Sequence, residues 1–310
     1  PSLQAGWLVS SEDFFNVAPI NYLKLTAGVD WSGNDNISNS AAFCYHENVK
    51  YSDKSMGLVL GNIENQSIQW ETTRRMNAGF DLQAFNNRLR LTANVFSNAT
   101  NNLLTLKKLD PLAGLEYAWS NGGELKNTGA YVSANLRALN SKNWKWELGA
   151  SVGTYKNVVT SLPEDSEFYS VVDDELIKYS GFATEIYDAT ILTVENEAAG
   201  VFFGYETEGV FATTDEAWDE NKGDWHLKTY DVNTGVLTPL EAGDVKFKDQ
   251  DKNGIIDLND RVILGNPNPD IYGNFNSNLM YKNFTLSATF NYSLGNDVYN
   301  YQRALLESGS

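Results

Sequence analysis

The stretch Met76-Asn-Ala-Gly-Phe80-Asp-Leu-Gln-Ala-Phe85-Asn-Asn-Arg-Leu-Arg90-Leu-Thr-Ala-Asn-Val95 decides the fold. Met76, Ala78, Phe80 and Leu82 alternate with Asn77, Gly79, Asp81 and Gln83. Past Asn86-Asn87 the pattern resumes, Leu89, Leu91, Ala93 and Val95 against Arg88, Arg90, Thr92 and Asn94. A strict period of two means a strand with one apolar and one polar face. Asn suits the break because it tolerates positive φ and bonds locally to the backbone. Two long two-faced strands joined by a tight turn result.

The same alternation recurs outward from this hairpin. Leu23, Leu25, Ala27, Val29 and Trp31 form one apolar series, and Val132, Ala134 and Leu136 another. Trp144 to Val152 and Phe284 to Tyr292 follow the same rule. No stretch of helical period competes. Asn140 to Asn143 and Lys282-Asn283 are further short turns, whereas Ala99 to about Leu125 and Asn157 to about Ile271 are long connections. Short turns at one end and long loops at the other describe a transmembrane β-barrel, and strands of about ten residues suit a tilted crossing. Trp7, Trp31, Trp119, Trp144, Trp146 and Tyr155 lie near strand ends, where an interfacial aromatic girdle is expected. A soluble β-sandwich also alternates. The Asn, Thr, Ser and Arg of the polar faces, which suit a wet lumen, and the asymmetric loops favour the barrel. The expected fold class is therefore all-β, part of a large antiparallel transmembrane barrel with long extracellular loops.

The 310 residues include 40 acids and 23 Lys or Arg, a net charge of -17. That balance argues against a nucleic-acid binder. Cys44 is the single cysteine, so no intrachain disulfide forms, and two histidines exclude a histidine-rich metal site. No run of 18 apolar residues exists for a transmembrane helix. Neither terminus reads as a natural boundary, and no signal peptide is found, so a piece of a longer chain is expected. Residues 161–260 hold 24 acids against 6 bases, and the rest of the chain 16 against 17. One window carries the whole imbalance, either as a solvated loop surface or as a cation-binding region.

Within it lies Asp249-Gln-Asp251-Lys-Asn253-Gly254-Ile255-Ile256-Asp257-Leu-Asn-Asp260. Oxygen ligands fall at positions 1, 3, 5, 9 and 12, with Gly254 at the sharp turn and the Ile255 carbonyl at position 7. This is the EF-hand loop pattern, which curls six to eight hard oxygens around one Ca²⁺. Asp260 replaces the usual Glu at position 12, so weaker affinity is expected. The flanks are not helical; Asp244-Val-Lys-Phe-Lys reads as a strand. Asp249, Asp251, Asn253, Ile255, Asp257 and Asp260 are the expected ligands of a structural Ca²⁺.

Several segments together resemble one family. They are Leu60 through Thr73 with Trp70-Glu71, Asn77-Ala-Gly-Phe-Asp81, Asn121-Gly-Gly-Glu124 through Gly129, and Gly204-Tyr205-Glu-Thr-Glu-Gly209-Val-Phe211. Gly243-Asp244 through Arg261, Gly265-Asn-Pro-Asn-Pro269-Asp270 and Tyr281-Lys-Asn-Phe284 complete the set. The chain resembles the SusC/RagA-type TonB-dependent outer-membrane transporters of Bacteroidota over nearly its whole length. The resemblance implies part of a 22-stranded, plugged barrel, with plug and last strands outside residues 1–310. It implies residues 161–270 as an acidic extracellular loop region containing the loop at 249–260. It further implies import of oligosaccharides or peptides with TonB-ExbB-ExbD, a SusD-like lipoprotein as lid, and outer-membrane lipid around a Gram-negative barrel. No catalytic residue follows from it.

Other readings are weaker. Asp173-Asp174 and Glu216 with Asp219 could be read as glycosidase pairs, but acids cluster by chance in so acidic a window. Cys44 and His46 lack a third partner. Trp119, Trp218, Trp225 and Tyr230 are candidate sugar-stacking residues, with loop packing as the simpler role. The alternative function is a secreted, calcium-stabilised β-domain that binds carbohydrate without transport.

Overall fold

The computed structural model describes residues 1–52, 55–109, 111–115, 117–162, 167–172, 175–186, 189–220, 222–231 and 234–307. The chain divides into two compact units. The first comprises residues 1–166, 195–198 and 268–296, and the second residues 167–194, 199–267 and 297–310.

The first unit is built on one antiparallel sheet of eight strands in sequence order. They are β1 Ser2–Leu8, β2 Ile20–Asn34, β3 Glu71–Ala84, β4 Leu89–Asn101, β5 Glu124–Asn140, β6 Trp144–Ser161, β7 Ile271–Tyr281 and β8 Phe284–Leu294. Register follows the sequence alternation across every strand. Leu23, Leu82, Leu91, Ala134, Ala150, Phe275 and Phe290 form one continuous cross-strand row. One residue further along, Lys24, Asp81, Thr92, Ser133, Ser151, Asn274 and Asn291 form a polar row on the opposite face. A one-residue slip of any strand would exchange the faces, so the two-sided pattern locks the register.

The polar face is tied by side-chain bonds between neighbouring strands. Thr92 donates to the Asp81 carboxylate at 2.8 Å, Asn157 to the Asn127 amide oxygen at 2.6 Å, and Ser287 to Asn278 at 3.1 Å. Arg75 pairs with Asp30 and Arg137 with Glu147, each at 3.3 Å. The apolar face has no second layer among the described residues: Phe284 is 79% exposed, Leu286 68% and Phe290 63%. A sandwich would bury that face against a second sheet at about 10 Å. An exposed apolar face backed by a wet polar one is the arrangement of a barrel wall in lipid. β1 and β8 each have one neighbour, so the barrel does not close within these strands.

The short turns form as expected at 85–88, 141–143 and 282–283. Asn86 and Asn87 have φ of 54° and 60°. Phe85 and Lys282, which the sequence did not mark for this backbone region, adopt φ of 57° and 50°. Alternation leads to roughly ten strands, and the sheet holds eight. The chain between β2 and β3 forms a separate hairpin, Tyr45–Ser52 with Ser55–Asn62, and that between β4 and β5 another, Leu104–Lys108 with Tyr117–Asn121. The expected girdle needs a correction. Trp144 and Tyr281 pack at 4.3 Å at the short-turn end of the apolar face. Trp119 belongs to the second hairpin and not to the sheet. Tyr155 shares the polar face with Phe96, because its register partner is Gly129.

Gly129 shows how closely the polar face is packed. A methyl group there would press on the Thr154 backbone carbonyl and on the Phe96 and Tyr155 side chains. The carbonyl belongs to the β5–β6 ladder and cannot move aside. Gly129→Val is therefore expected to lose about 1–3 kcal/mol through overpacking. Less of the heat-resistant folded band of the intact protein on a gel would check it.

The second unit holds a five-stranded antiparallel sheet of Glu167–Val172, Glu175–Ile186, Ala189–Val194, Val201–Tyr205 and Arg261–Gly265. Three smaller sheets of two or three short strands belong to the same unit. Phe211, Ala217, Leu227, Leu240 and Ile256 make a small core, with Tyr205, Trp225 and Phe247 packed against it. The expected long connection from Asn157 to Ile271 is thus largely folded, and β6 itself runs on to Ser161. Among the described residues no helix is long and apolar enough to cross a membrane.

Candidate functional site

The loop at 249–260 hangs from this small core. Ile256 is buried in it, and Ile255–Ile256 pairs in parallel with Lys228–Thr229. Val245–Phe247, just before the loop, pairs with Thr207–Val210. That pairing is flanked by Lys246 to Glu208 at 3.0 Å and Lys248 to Glu206 at 2.9 Å. The bond from Lys248 holds the Glu206 carboxyl below its usual range. The loop is therefore pinned at both ends before any ion is considered.

Inside it the chain curls through Lys252 at φ 65° and Gly254 at φ 84°. Gly254 is the residue suited to that region, as position 6 demands. Asp249 accepts backbone N–H bonds from Lys252 at 2.6 Å, Asn253 at 3.2 Å and Gly254 at 2.6 Å. Asp251 accepts from the Asn253 N–H at 3.0 Å, and the Asn253 amide oxygen accepts from the Ile255 N–H at 2.6 Å. Asp260 is fully buried and accepts from the N–H groups of Gln250 at 2.8 Å and Asp257 at 2.9 Å.

Three of the expected ligands meet. Carboxylate oxygens of Asp249, Asp251 and Asp260 lie within 4.8 Å of one another. Asp257 is engaged differently: its carboxylate caps the short 3₁₀ turn Leu258–Asp260 by accepting from Asn259 N–H at 2.7 Å, in a reciprocal box with Asp260. The pattern of alternating acids could not announce that capping role, because a cap and a ligand use the same residue type. Burial pushes the Asp251 carboxyl up, and the neighbouring Asp249 and Asp260 add to that. The donor set is oxygen only and concentrates negative charge at one point. It fits a hard divalent cation, and Asp249, Asp251 and Asp260 would be its holders.

The remaining candidates are dispersed. Trp218 and Trp225 pair edge-to-face at 5.3 Å across a two-residue hairpin, half-buried, with Trp225 against the small core. Trp119 is half-buried in its own hairpin and Tyr230 is exposed. Glu216 accepts from the Ala212 N–H at 2.9 Å, and Asp219 accepts from Lys222 N–H at 3.3 Å and faces His226 at 3.8 Å. Those acids organise turns. Asp173 and Asp174 lie outside the described residues. Cys44 is exposed, and His46 sits in the hairpin strand Tyr45–Ser52.

Sequence comparison places these features in a family. No family model matches. TonB-dependent receptor P3 of Formosa agariphila is 30% identical over 315 residues, spanning 100% of this chain. TonB-dependent receptor SusC of Bacteroides thetaiotaomicron is 26% identical over 310 residues, spanning 96% of it. Along its whole length the chain is related to part of the TonB-dependent receptors, SusC among them. It spans 29% and 28% of the length of those two relatives. The RagAB peptide importer in its closed-closed state superposes on this receptor chain with a TM-score of 0.70 at 19% identity. That match covers 95% of this chain and 29% of the importer chain. It speaks for the fold: the eight-stranded wall is part of such a receptor's barrel.

Proposed function

We propose that the protein carrying this chain imports oligosaccharides or peptides across the outer membrane of a Gram-negative bacterium of the Bacteroidota. Import draws on TonB-ExbB-ExbD, with a SusD-like lipoprotein closing the extracellular side. The observation that carries this reading is the two-faced wall. Its outer face offers lipid a continuous apolar surface. Its inner face presents Asn94, Asn135, Asn274, Asn276 and Asn291 with Ser and Thr between them. Amides both donate and accept, which suits neutral, hydrogen-bonding cargo such as sugar hydroxyls or peptide groups. This chain contributes lining and loops, and no residue in it is asked to break a bond.

The loop at 249–260 holds Ca²⁺ in this reading, through Asp249, Asp251 and Asp260 with Asn253, the Ile255 carbonyl and Asp257 completing the sequence pattern. The ion supplies charge neutralisation and a fixed loop on the extracellular side, where calcium is plentiful. The oxygen-only convergence within 4.8 Å supports it.

Uptake of labelled oligosaccharides and of labelled oligopeptides by native cells, with and without the gene for the intact receptor, tests the import reading. Loss of energy-dependent uptake of one class on deletion is the expected result and names the cargo. Unchanged uptake of both classes sinks it.

A further inference from the structure

The short-turn end of the wall carries charge of one sign beside an aromatic row. Trp144, Tyr281 and Phe284 are register partners on β6, β7 and β8, at the margin of the apolar face. Trp144 and Tyr281 pack at 4.3 Å, and the Lys282 ammonium stands over the Tyr281 ring at 5.4 Å. The turn holding Lys282 is bonded to the turn holding Lys142, through Lys282 N–H donating to the Asn143 carbonyl at 2.9 Å. Next along this end, the turn at 85–88 contributes Arg88, whose carbonyl accepts from the Arg137 N–H at 2.7 Å. Residues 85–88, 138–146 and 280–286 contain Arg88, Lys142, Lys145 and Lys282 and not one acid, in a chain of net charge -17. Lys145 belongs to the polar face, between Trp144 and Trp146 in sequence. The nearest acid along these strands, Glu147, is on the polar face and paired with Arg137 at 3.3 Å. Glu12 and Asp13 belong to the first turn of the sheet, where Glu12 accepts from the Trp7 indole N–H at 2.9 Å.

We propose that this corner, Lys282 above the Trp144–Tyr281 pair with Lys142 on the adjoining turn, binds the headgroup phosphate of an anionic phospholipid in the periplasmic leaflet. The proposal rests on the barrel reading, in which the short turns face the periplasm. Continuity decides the occupant: acyl chains lie along the apolar face, so their glycerol and phosphate arrive at the aromatic row. Lysine stems cover ring surface while their ammoniums reach the phosphate. Free phosphate would have the charges but no use for the apolar face beneath them.

The test reconstitutes the intact receptor in phosphatidylcholine vesicles holding a small fraction of brominated phosphatidylglycerol or, separately, brominated phosphatidylcholine. Tryptophan quenching is then read. Preferential quenching by the phosphatidylglycerol probe is expected. Its relative association constant should fall on the order of tenfold or more in Lys142→Gln/Lys282→Gln, at roughly fivefold per lysine. The same preferential component should vanish in Trp144→Phe, which keeps the lysines. Equal quenching by the two probes in the parent, or a preference untouched by the lysine variant, overturns the proposal. Absence of quenching even by brominated phosphatidylcholine overturns it too, and through the barrel reading itself.

Discussion

Ala134→Arg is expected to lower the stability of the assembled receptor by about 2–4 kcal/mol, the cost of a cation on the lipid face near mid-membrane. Ala134 sits on β5 between Leu91 and Ala150 in the apolar row. Its alternating neighbours Ser133 and Asn135 are on the opposite face, beside Thr92 and Arg90. An arginine at 133 or 135 therefore enters a polar environment and should cost much less. A central strand is the right place, because its ladder leaves no room for a twist that would carry the charge to an edge. The measurement is the fraction of receptor that reaches the outer membrane as a folded, heat-modifiable species. A large loss for Ala134→Arg with near-normal Ser133→Arg is the expected pair of results. Equal tolerance of the two variants would mean that the apolar face meets water and not lipid.

The second large effect concerns the cation loop. Replacing Asp249 and Asp251 together by alanine is expected to abolish Ca²⁺ binding to the intact receptor, read as heat in a calorimetric titration. The two changes remove two of three converging carboxylates and the acceptor of three backbone N–H bonds. At a calcium concentration 100 times Kd the parent should gain about 2.7 kcal/mol of loop stability that the variant lacks. Protection of the 249–260 segment from protease with and without chelator reports that difference. Binding should also weaken as pH falls. The Asp251 carboxyl is pushed up by burial and by its acidic neighbours, so it takes up a proton earlier than an ordinary aspartate as pH drops. A protonated carboxyl is lost to the cation, so affinity is present above that range and declines through it. The same raised value means the ion-free loop is strained by charge at neutral pH, and acid relieves it. Calorimetric heat that persists in the double variant would remove the loop from consideration.

Much of the fold was legible in the sequence, for a physical reason. A strand in a barrel wall meets lipid on one side and water on the other, so its alternation is written directly into residue type. Met76 to Val95 states both strands and the turn between them. The curl of the chain at 249–260 was legible in the same way, because Gly254 and the spaced acids answer a local geometric demand within twelve residues.

What the sequence left open depends on residues far apart or on shared residue types. Trp119 reads in sequence as a strand-end aromatic, but only its pairing with Leu106 in a separate hairpin shows that it lies outside the wall. Residues 207–256 lack sustained period two, because their strands are two to four residues long and pack around a small core of Phe211, Ala217, Leu227, Leu240 and Ile256. Asp257 reads as a ligand in sequence, and the folded loop adds a capping role, since an aspartate serves either role with the same oxygens. The cationic corner brings together Lys142 and Lys282, 140 positions apart, through a hydrogen bond between two turns. Local pattern alone determined the two-faced strands and the curl of the loop, whose causes lie within a few residues. Only the tertiary pairing of strands decided which side chains share a face, a core or a corner, because those neighbours are set by register and not by distance along the chain.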